Sequence, residues 1–232
     1  MELLVVLAVT AVLAALLFPA LSRARLAGSS TRCVSNLRQL GLSTLLYWDD
    51  HGRTFSERTG RTNGGWRYWF GWLADGQEGE REFRPTEGAL WPYLQGRGVE
   101  LCPSLNRAAP HFKTKARGAA YGYAYNLLAG PRGVPGLAPS SFHHPMSLAL
   151  FTDGGQVNDF QAPASAEHPM LEEFYFFDTN RLSATVHFRH SQRAQVSFAD
   201  GHVAPEKPAP GSEDRRLPGE LCGRLSLELV VP

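Results

Sequence analysis

The sequence contains few cysteines and almost no net charge. Its 232 residues include three cysteines, which are too few for a disulfide scaffold, and the formal net charge is +1. Such a balanced charge indicates neither nucleic acid nor an acidic substrate as a partner. The sequence also lacks a P-loop, a dinucleotide fingerprint and a G-x-S-x-G motif, so we expect no cofactor.

Charge is also absent from one long stretch near the N-terminus. Residues 3–21 are almost all apolar, and no charged residue stands between Glu2 and Arg23. About 20 apolar residues in a helix match the ~30 Å hydrocarbon core of a bilayer. The stretch therefore predicts a helix that lies in lipid or packs against copies of itself. Pro19 removes one helical hydrogen bond and predicts a bend near the end of the run.

The residues that flank this stretch distinguish it from a secretory signal peptide. A signal peptide has a basic N-terminal region, whereas this sequence opens with Met1 and Glu2. An acid at the edge of an apolar run is costly without a partner, so Glu2 is a candidate contact residue. Arg23 and Arg25 follow the run, and the positive-inside rule would leave the remainder of the chain in the cytoplasm.

Helical periodicity continues beyond the apolar run. Apolar residues recur at roughly helical spacing up to Trp48, and residues 49–52 form a stop signal in which Gly52 suits a left-handed C-cap. A helix that continues from Leu3 to Asp50 would be ~70 Å long. We expect its first half to lie in lipid and its second half to pack on a globular domain.

Residues 53–89 are rich in Gly, Arg and Thr and predict a long loop region. Within it, residues 66–72 form an aromatic segment that begins and ends with tryptophan. This segment fits two interpretations, a platform that binds sugar or a partner, and a hydrophobic plug that covers a sheet. Because large aromatic side chains are usually buried, we favour the plug.

Short strands are expected in the second half of the chain. Alternating or short apolar patterns predict them at residues 120–126, 147–152 and 174–177. The adjacent acids Glu172 and Glu173 predict a solvated face. The composition of residues 205–219 predicts a Pro-rich linker ahead of the C-terminus.

Residues 185–204 form the second landmark of the sequence. Val196 and Phe198 alternate with polar residues, and Asp200-Gly201 is typical of a hairpin turn. Nine residues separate His190 from Asp200. We expect His190 to hydrogen-bond the Asp200 turn across the hairpin, so that His190, Asp200 and Gly201 are architectural.

Several of these motifs resemble one protein family. Residues 2–25 are similar to the N-terminus of type IV pilins and type II secretion pseudopilins, and residues 33–42 are similar to the continuation of that helix. His190 with Asp200-Gly201 matches the H-X9-DG motif at the C-terminal end of a pilin-like subfamily. Further similarity to this subfamily lies in residues 93–103, 121–123 and 143–153.

The resemblance implies how the N-terminus is processed and used. In that family a basic leader ending in Gly is cut by a membrane-embedded prepilin peptidase, and the new N-terminal residue is methylated. Glu2 corresponds to the family's glutamate, which pairs with the N-terminal amine of a neighbouring subunit during assembly. We therefore expect a basic leader ahead of the sequence as given. Its charge would remain in the cytoplasm and place the globular domain on the exported side.

The resemblance also implies a fold and a structural function. The expected fold is α+β and pilin-like, with a long N-terminal transmembrane helix packed on an antiparallel β-sheet. The protein would be a structural subunit rather than an enzyme, anchored once in the inner membrane with its domain in the periplasm. Its partners would be other pilin-like subunits, the secretion or pilus assembly machinery and the prepilin peptidase. The implied divisions are 1–22 (transmembrane half of the helix), 23–52 (exposed half), 53–204 (globular domain) and 205–232 (Pro-rich linker and tail).

Histidine and aspartate residues leave a second hypothesis open. Neutral imidazole and carboxylate suit Zn²⁺ or another transition metal. The residues that would form such a cluster are Asp153, His187, His190, Asp200 and His202. The alternative function is a membrane-anchored exported enzyme or ligand-binding domain that uses this cluster or the Trp-rich segment. Asp-Gly is favoured in turns by backbone geometry alone, so we favour the architectural interpretation.

The three cysteines allow three pairings. Cys33 and Cys102 resemble cysteines of the subfamily, whereas Cys222 lies beyond the Pro-rich segment. The resemblance therefore implies a Cys33–Cys102 disulfide, which an oxidising exported compartment would maintain. Closing a loop of about 70 residues is worth ~4 kcal/mol in the chain-entropy model. The alternative is that both are small buried thiols.

Overall fold

The computed structural model describes residues 2–94, 96, 101–118, 122–131, 134–180 and 183–232. The chain begins with one long helix and continues as short strands joined by turns and four short 3₁₀ helices. Tyr121 and the first residues of the predicted strand at 120–126 lie outside the described part. The 3₁₀ helices span Pro85–Glu87, Trp91–Leu94, Pro139–Ser141 and Leu227–Leu229.

Helix α1 spans Glu2–His51 without interruption, which confirms the predicted continuous helix. Its 50 residues correspond to a length of about 75 Å. The helix ends as predicted, because Gly52 has a φ of +66° and its N–H donates to the carbonyl of Trp48 at 2.8 Å. Pro19 lies inside the helix, and the bend there stays a prediction.

The two halves of α1 have opposite surroundings. Large apolar side chains are exposed as far as Leu26, which is 69% exposed, and an 18-residue window in this half has a mean hydropathy of 2.7. From Cys33 onward the same helix contributes to the core, where Leu37 and Leu40 are 0% and 1% exposed. One N-terminal helix is therefore long and apolar enough to span a membrane.

Within the described residues, the strands are short and lie in four sheets. They are β1 (Arg58–Thr62), β2 (Gly65–Tyr68), β3 (Trp72–Ala74), β4 (Phe83–Arg84), β5 (Phe112–Lys113), β6 (Tyr123–Asn126), β7 (Ala149–Asp153), β8 (Gln156–Asn158), β9 (Met170–Glu172), β10 (Phe176–Phe177), β11 (Val186–His187), β12 (Ala194–Phe198), β13 (Val203–Glu206) and β14 (Cys222–Gly223). The predicted α+β class is confirmed.

The central sheet has five strands in the order β10-β6-β7-β12-β13. Its pairs are antiparallel except for β10 with β6, which is parallel, so the expectation of a purely antiparallel sheet needs this correction. The smaller sheets have the orders β1-β2-β3-β4, β5-β9-β8 and β11-β14, and β5 is parallel to β9. Helix α1 packs on β7, β12 and β13 of the central sheet.

A glycine allows the helix to approach the central sheet closely. A side-chain Cβ at Gly41 would lie only 2.7 Å from Oγ of Ser197 on β12. A larger residue would require the Ser197 side chain or the helix to shift, because this separation is shorter than a van der Waals contact. Gly41 therefore marks a point of close approach between the second half of α1 and the sheet.

The segment 53–89 corrects the sequence prediction. It is not a long loop, because the antiparallel meander β1–β4 lies within it. Trp69 and Trp72 are 1% and 2% exposed, which confirms that most of the aromatic segment is a hydrophobic plug. Trp66 is half-buried, and the guanidinium of Arg58 lies 4.8 Å from the centre of its ring.

The C-terminal part of the chain also differs from expectation. Strands β12 and β13 form the predicted hairpin, but β11 pairs with β14 rather than with β12. The segment after residue 205 is not a free linker and tail, because Val230 is 1% exposed and its carbonyl accepts a hydrogen bond from Asn126 Nδ2 at 2.8 Å. Composition predicted a linker, whereas burial of Leu225 and Val230 attaches the segment to the core.

Two leucines on α1 test its packing on the domain. Leu40 is buried and Leu42 is 58% exposed, so Leu40→Ala leaves a cavity and Leu42→Ala does not. We expect Leu40→Ala to lower the free energy of unfolding by about 2–5 kcal/mol. Leu42→Ala should change it by less than about 0.5 kcal/mol. Denaturant unfolding of the full chain in detergent measures both, and equal effects would contradict the orientation of α1.

Candidate functional site

Four residues singled out in the sequence lie together in the interior. Cys33, Cys102, Asp153 and His190 are each at most 8% exposed. One side-chain ligand atom of each lies within 4.8 Å of the corresponding atoms of the others. We call this group the Cys–Asp–His cluster. It joins the two predicted bridge cysteines to two of the predicted histidine and aspartate ligands.

The members of the cluster come from four separate segments. Cys33 lies on the buried half of α1, and Cys102 lies in the loop that precedes a turn at Pro103. Asp153 ends β7, which is buried along its whole length. His190 lies in a tight turn after β11, where its N–H donates to the carbonyl of Arg193 at 2.9 Å. The cluster therefore connects the helix to the sheet and to two connecting loops.

Short contacts link the four side chains. The Cys33 thiol donates to Asp153 Oδ1 at 3.2 Å. Cys102 Sγ lies 3.3 Å from His190 Nε2, and the same nitrogen lies 3.3 Å from Asp153 Oδ2. The hydroxyl of Tyr123 donates to Cys33 Sγ at 3.7 Å. Both thiols, both oxygens of Asp153 and Nε2 of His190 thus have partners inside the protein, as buried polar groups require.

Arg189 balances the charge of the buried aspartate. Its Nε donates to Asp153 Oδ1 at 3.1 Å, and the side chains of the pair are 3% and 0% exposed. The backbone N–H of Gln195 donates to the other carboxylate oxygen at 2.8 Å. A buried carboxylate is tolerated only with such partners. Arg189 was not among the residues predicted from the sequence, although a basic residue next to His190 in an apolar strand pattern was a usable signal.

The environment separates the pKa values of the cluster. Burial raises the pKa of the Asp153 carboxyl, but Arg189 and His190 outweigh burial and hold it at about 2. Burial lowers the pKa of His190, yet Asp153 and Cys102 raise it to about 9. Burial raises the pKa of the Cys33 thiol, whereas the neighbouring Cys33 thiol, followed by His190, lowers the pKa of Cys102. Cys102 is therefore the sulfur better suited to carry negative charge.

The chemistry open to this arrangement follows from its donors. Two thiols, an imidazole and a carboxylate can hold a metal ion, and a thiol beside an imidazole can act as a nucleophile. Cys33 and Cys102 are close together but are free thiols in the structure, so the predicted disulfide stays a prediction. Cys222 is also a buried free thiol, but it packs in another cluster with Leu105 and Leu171.

A pocket borders the cluster on one side. Its volume is about 370 Å³, and Arg189 and His190 form part of its wall. The other lining residues come from α1 and two loops, and they are Arg23, Leu26, Ala27, Ser30, Ser104 and Ser191. Of the four cluster residues, His190 is the one that lines this pocket.

The H-X9-DG residues separate into two locations. His202 Nδ1 lies 2.6 Å from Asp200 Oδ1, within the turn that joins β12 to β13. Gly201 has a φ of +91°, which favours glycine in that turn. His190 lies before β12 and contacts Asp153, so the expected hydrogen bond between His190 and the Asp200 turn is replaced by this contact. The structure consequently places His190 beside Asp153, whereas Asp200 and His202 pair with each other in a separate turn.

His187 has a separate partner. Its Nε2 lies 3.1 Å from Glu220 Oε2, and the other oxygen of Glu220 lies 2.7 Å from His111 Nε2. The hydrogen bond from His187 is the main cause that lowers the pKa of Glu220 to about 2, and the hydrogen bond from His111 adds to it. These contacts attach the C-terminal segment to the domain and place His187 outside the Cys–Asp–His cluster.

A second buried polar cluster surrounds Glu172. Lys113 Nζ lies 2.6 Å from Glu172 Oε2, Lys115 pairs with the same carboxylate, and Asn158 Nδ2 donates to it at 2.6 Å. Glu172 and Glu173 are both 0% exposed, so the expectation of a solvated face is wrong. Their lysine and asparagine partners lie on or next to the neighbouring strands β5 and β8, which the local sequence pattern did not pair with β9.

Removing the aspartate charge tests the Cys–Asp–His cluster. Asp153→Asn leaves Arg189 as a buried charge without its partner, so we expect a loss of about 3–5 kcal/mol in the free energy of unfolding. Asp200→Asn is the matched control, because its side chain is 30% exposed and we expect a loss below about 1 kcal/mol. Denaturant unfolding followed by tryptophan fluorescence measures both. Similar losses for the two variants would contradict the central role of Asp153.

The buried carboxyl of Glu173 should make the stability of the fold depend on pH. Burial raises its pKa from 4.5 to about 7, and its Oε2 has no hydrogen-bond partner among the described residues. The neutral acid therefore stabilises the folded state below about pH 4.5. This contribution is lost as pH rises towards about 7, because the unfolded chain ionises first. We expect Glu173→Gln to abolish this loss and to be up to about 3 kcal/mol more stable than the parent at pH 8.

Glu172→Gln is the matched control for this variant. It removes the more deeply buried of the two carboxylates that Lys113 and Lys115 share and leaves them only Glu78, so it should lower stability at neutral pH. Unfolding free energies measured from pH 4 to pH 8 provide the comparison. A Glu173→Gln curve parallel to that of the parent protein would disprove the assignment.

The comparisons with known proteins found no relative of this chain. No protein-family model, no curated protein and no solved structure matches the chain. The description of the site therefore rests on the residues and contacts given above.

Proposed function

We propose that the protein is a pilin-like or pseudopilin-like structural subunit of an envelope assembly related to type II secretion or type IV pili. The observation that supports this most directly is the division of α1. One helix exposes apolar side chains over its first half and supplies core residues such as Leu37 and Leu40 in its second half. A helix of this kind is suited to anchor a folded domain in a membrane and to pack against the same helix of other subunits.

The proposed location is the inner membrane, crossed once, with the domain on the exported side. A run with a mean hydropathy of 2.7 supports the membrane anchor. The side rests on the resemblance at residues 2–25, which implies a basic leader and a prepilin peptidase that removes it. The proposed partners are other pilin-like subunits and the secretion or pilus assembly machinery.

The exposed apolar half of α1 provides the proposed assembly surface. Side chains such as Leu4 and Leu16 are both 69% exposed and would be buried by neighbouring helices in a filament or by lipid before assembly. Glu2 begins α1, at the edge of the apolar run. In the proposed assembly its carboxylate pairs with the N-terminal amine of a neighbouring subunit, because an unpaired charge is costly in that environment.

The second candidate is a membrane-anchored exported enzyme or ligand-binding domain. The pocket of about 370 Å³ beside His190 favours it, since Arg189 and His190 both border that space. The Trp-rich segment does not, because Trp69 and Trp72 are buried. We prefer the structural subunit, because the resemblance at residues 2–25 and at His190 with Asp200-Gly201 favours it.

The assembly contact of Glu2 is testable by substitution. We expect Glu2→Gln to leave the domain folded and membrane-inserted but to reduce cross-linked oligomers by about tenfold or more. Such a loss corresponds to about 1.4 kcal/mol per contact. Asp49→Asn is the matched control, because Asp49 is an exposed carboxyl at the opposite end of α1. Cross-linking in membranes of cells that carry the assembly machinery measures the effect, and unchanged oligomers with Glu2→Gln would refute the contact.

A further inference from the structure

The ligand atoms of the Cys–Asp–His cluster all lie within 4.8 Å of one another, and three of the six distances between them are close to those of a tetrahedral metal site. Zinc bonds of about 2.0–2.3 Å in a tetrahedron place neighbouring ligand atoms about 3.3–3.8 Å apart. The three distances are 3.2 Å between Cys33 and Asp153, 3.3 Å between Cys102 and His190, and 3.3 Å between His190 and Asp153. We propose that Cys33, Cys102, Asp153 and His190 bind one Zn²⁺ ion.

The donor set selects the metal. Two sulfurs, one imidazole nitrogen and one carboxylate oxygen match the ligands of zinc, whereas Mg²⁺ and Ca²⁺ require oxygen ligands. The four donors come from four segments and leave no position for a further ligand in a tetrahedral site. Such a closed set is typical of structural rather than catalytic zinc.

The charges around the cluster also match a divalent cation. Two thiolates and the Asp153 carboxylate carry three negative charges. Zn²⁺ and the guanidinium of Arg189, which lies 3.0 Å from Asp153, carry three positive charges. The bound site would thus be electrically neutral, which is what burial at 0–8% exposure requires.

Surrounding groups hold two of the ligands in position. Asp153 accepts hydrogen bonds from Arg189 Nε at 3.1 Å and from the backbone N–H of Gln195 at 2.8 Å. Cys33 Sγ accepts from the hydroxyl of Tyr123, which in turn accepts from Asn36 Nδ2 at 3.0 Å. Hydrogen bonds of this kind orient metal ligands and tune their basicity.

The inferred role of the ion is to fasten α1 to the domain. Cys33 is the ligand on the helix, and the other three ligands belong to the domain. This role does not depend on the proposed function, since it concerns how one chain holds together. The two sulfurs can alternatively form the Cys33–Cys102 disulfide, and a chain in that state has lost both thiolate ligands.

The experiment uses the full chain in detergent, isolated without chelator and kept reduced with a non-thiol reductant. Zinc content is measured by plasma mass spectrometry, before and after loading with Zn²⁺ alone. We expect about one zinc per chain. Replacement by Co²⁺ should give the visible bands and the thiolate charge-transfer absorption of a tetrahedral sulfur-ligated site. Removing zinc should lower the unfolding temperature by at least about 5 °C, and adding zinc should restore it.

Matched cysteine variants locate the ion. Cys102→Ser should lose nearly all bound zinc, whereas Cys222→Ser, which alters another buried free thiol, should retain it. If Cys102→Ser does not fold, the cobalt spectrum of the parent chain and its zinc-dependent unfolding still decide the question. Three results would overturn the proposal. They are no zinc on the reduced and folded parent chain, equal zinc on Cys102→Ser, and a Cys33–Cys102 disulfide peptide from chain isolated without reductant.

Discussion

The structure depends on one helix, α1, whose first half exposes apolar side chains and whose second half is buried in the domain. The second half is buried against the central sheet from Cys33 onward. Keeping apolar surface out of water is worth roughly 25 cal/mol per Å², so the exposed half needs lipid or other helices around it. The buried half then sets the position of the domain. The helix approaches β12 closely at Gly41, and Leu37 and Leu40 belong to the core cluster.

The Cys–Asp–His cluster lies where these two halves of α1 meet. Cys33 is among the first fully buried residues of α1, and Asp153 ends the strand next to β12 in the central sheet. Hydrophobic contacts are not directional, whereas the ion pair between Asp153 and Arg189 and the contacts of His190 specify one arrangement. In the proposed subunit the helix is held by its neighbours, so a fixed junction would keep each domain in a constant orientation.

Sequence reasoning succeeded where the determining signals are local. The apolar run, the stop signal at Gly52 and the Asp200-Gly201 turn each act through a few adjacent residues, and α1 and the β12–β13 hairpin follow from them. Sequence reasoning failed where a strand pairs with a segment that is distant in the sequence. The pairing of β11 with β14 and the lysines around Glu172 depend on sheet order, which no local pattern contains. Low aliphatic content likewise concealed the β1–β4 meander.

For the candidate site, the sequence by itself determined which residue types were available. It indicated Asp153 and His190 as members of one possible cluster and the two cysteines as a separate possible disulfide. Only the tertiary structure decided that these four meet and that Asp200 and His202 pair elsewhere. The reason is physical. Cys33 and Asp153 are 120 positions apart, so their contact is made only after the intervening chain has folded, and the loop-closure entropy is offset by the whole core rather than by the pair. Residue identity is local information, but proximity is a property of the packed chain.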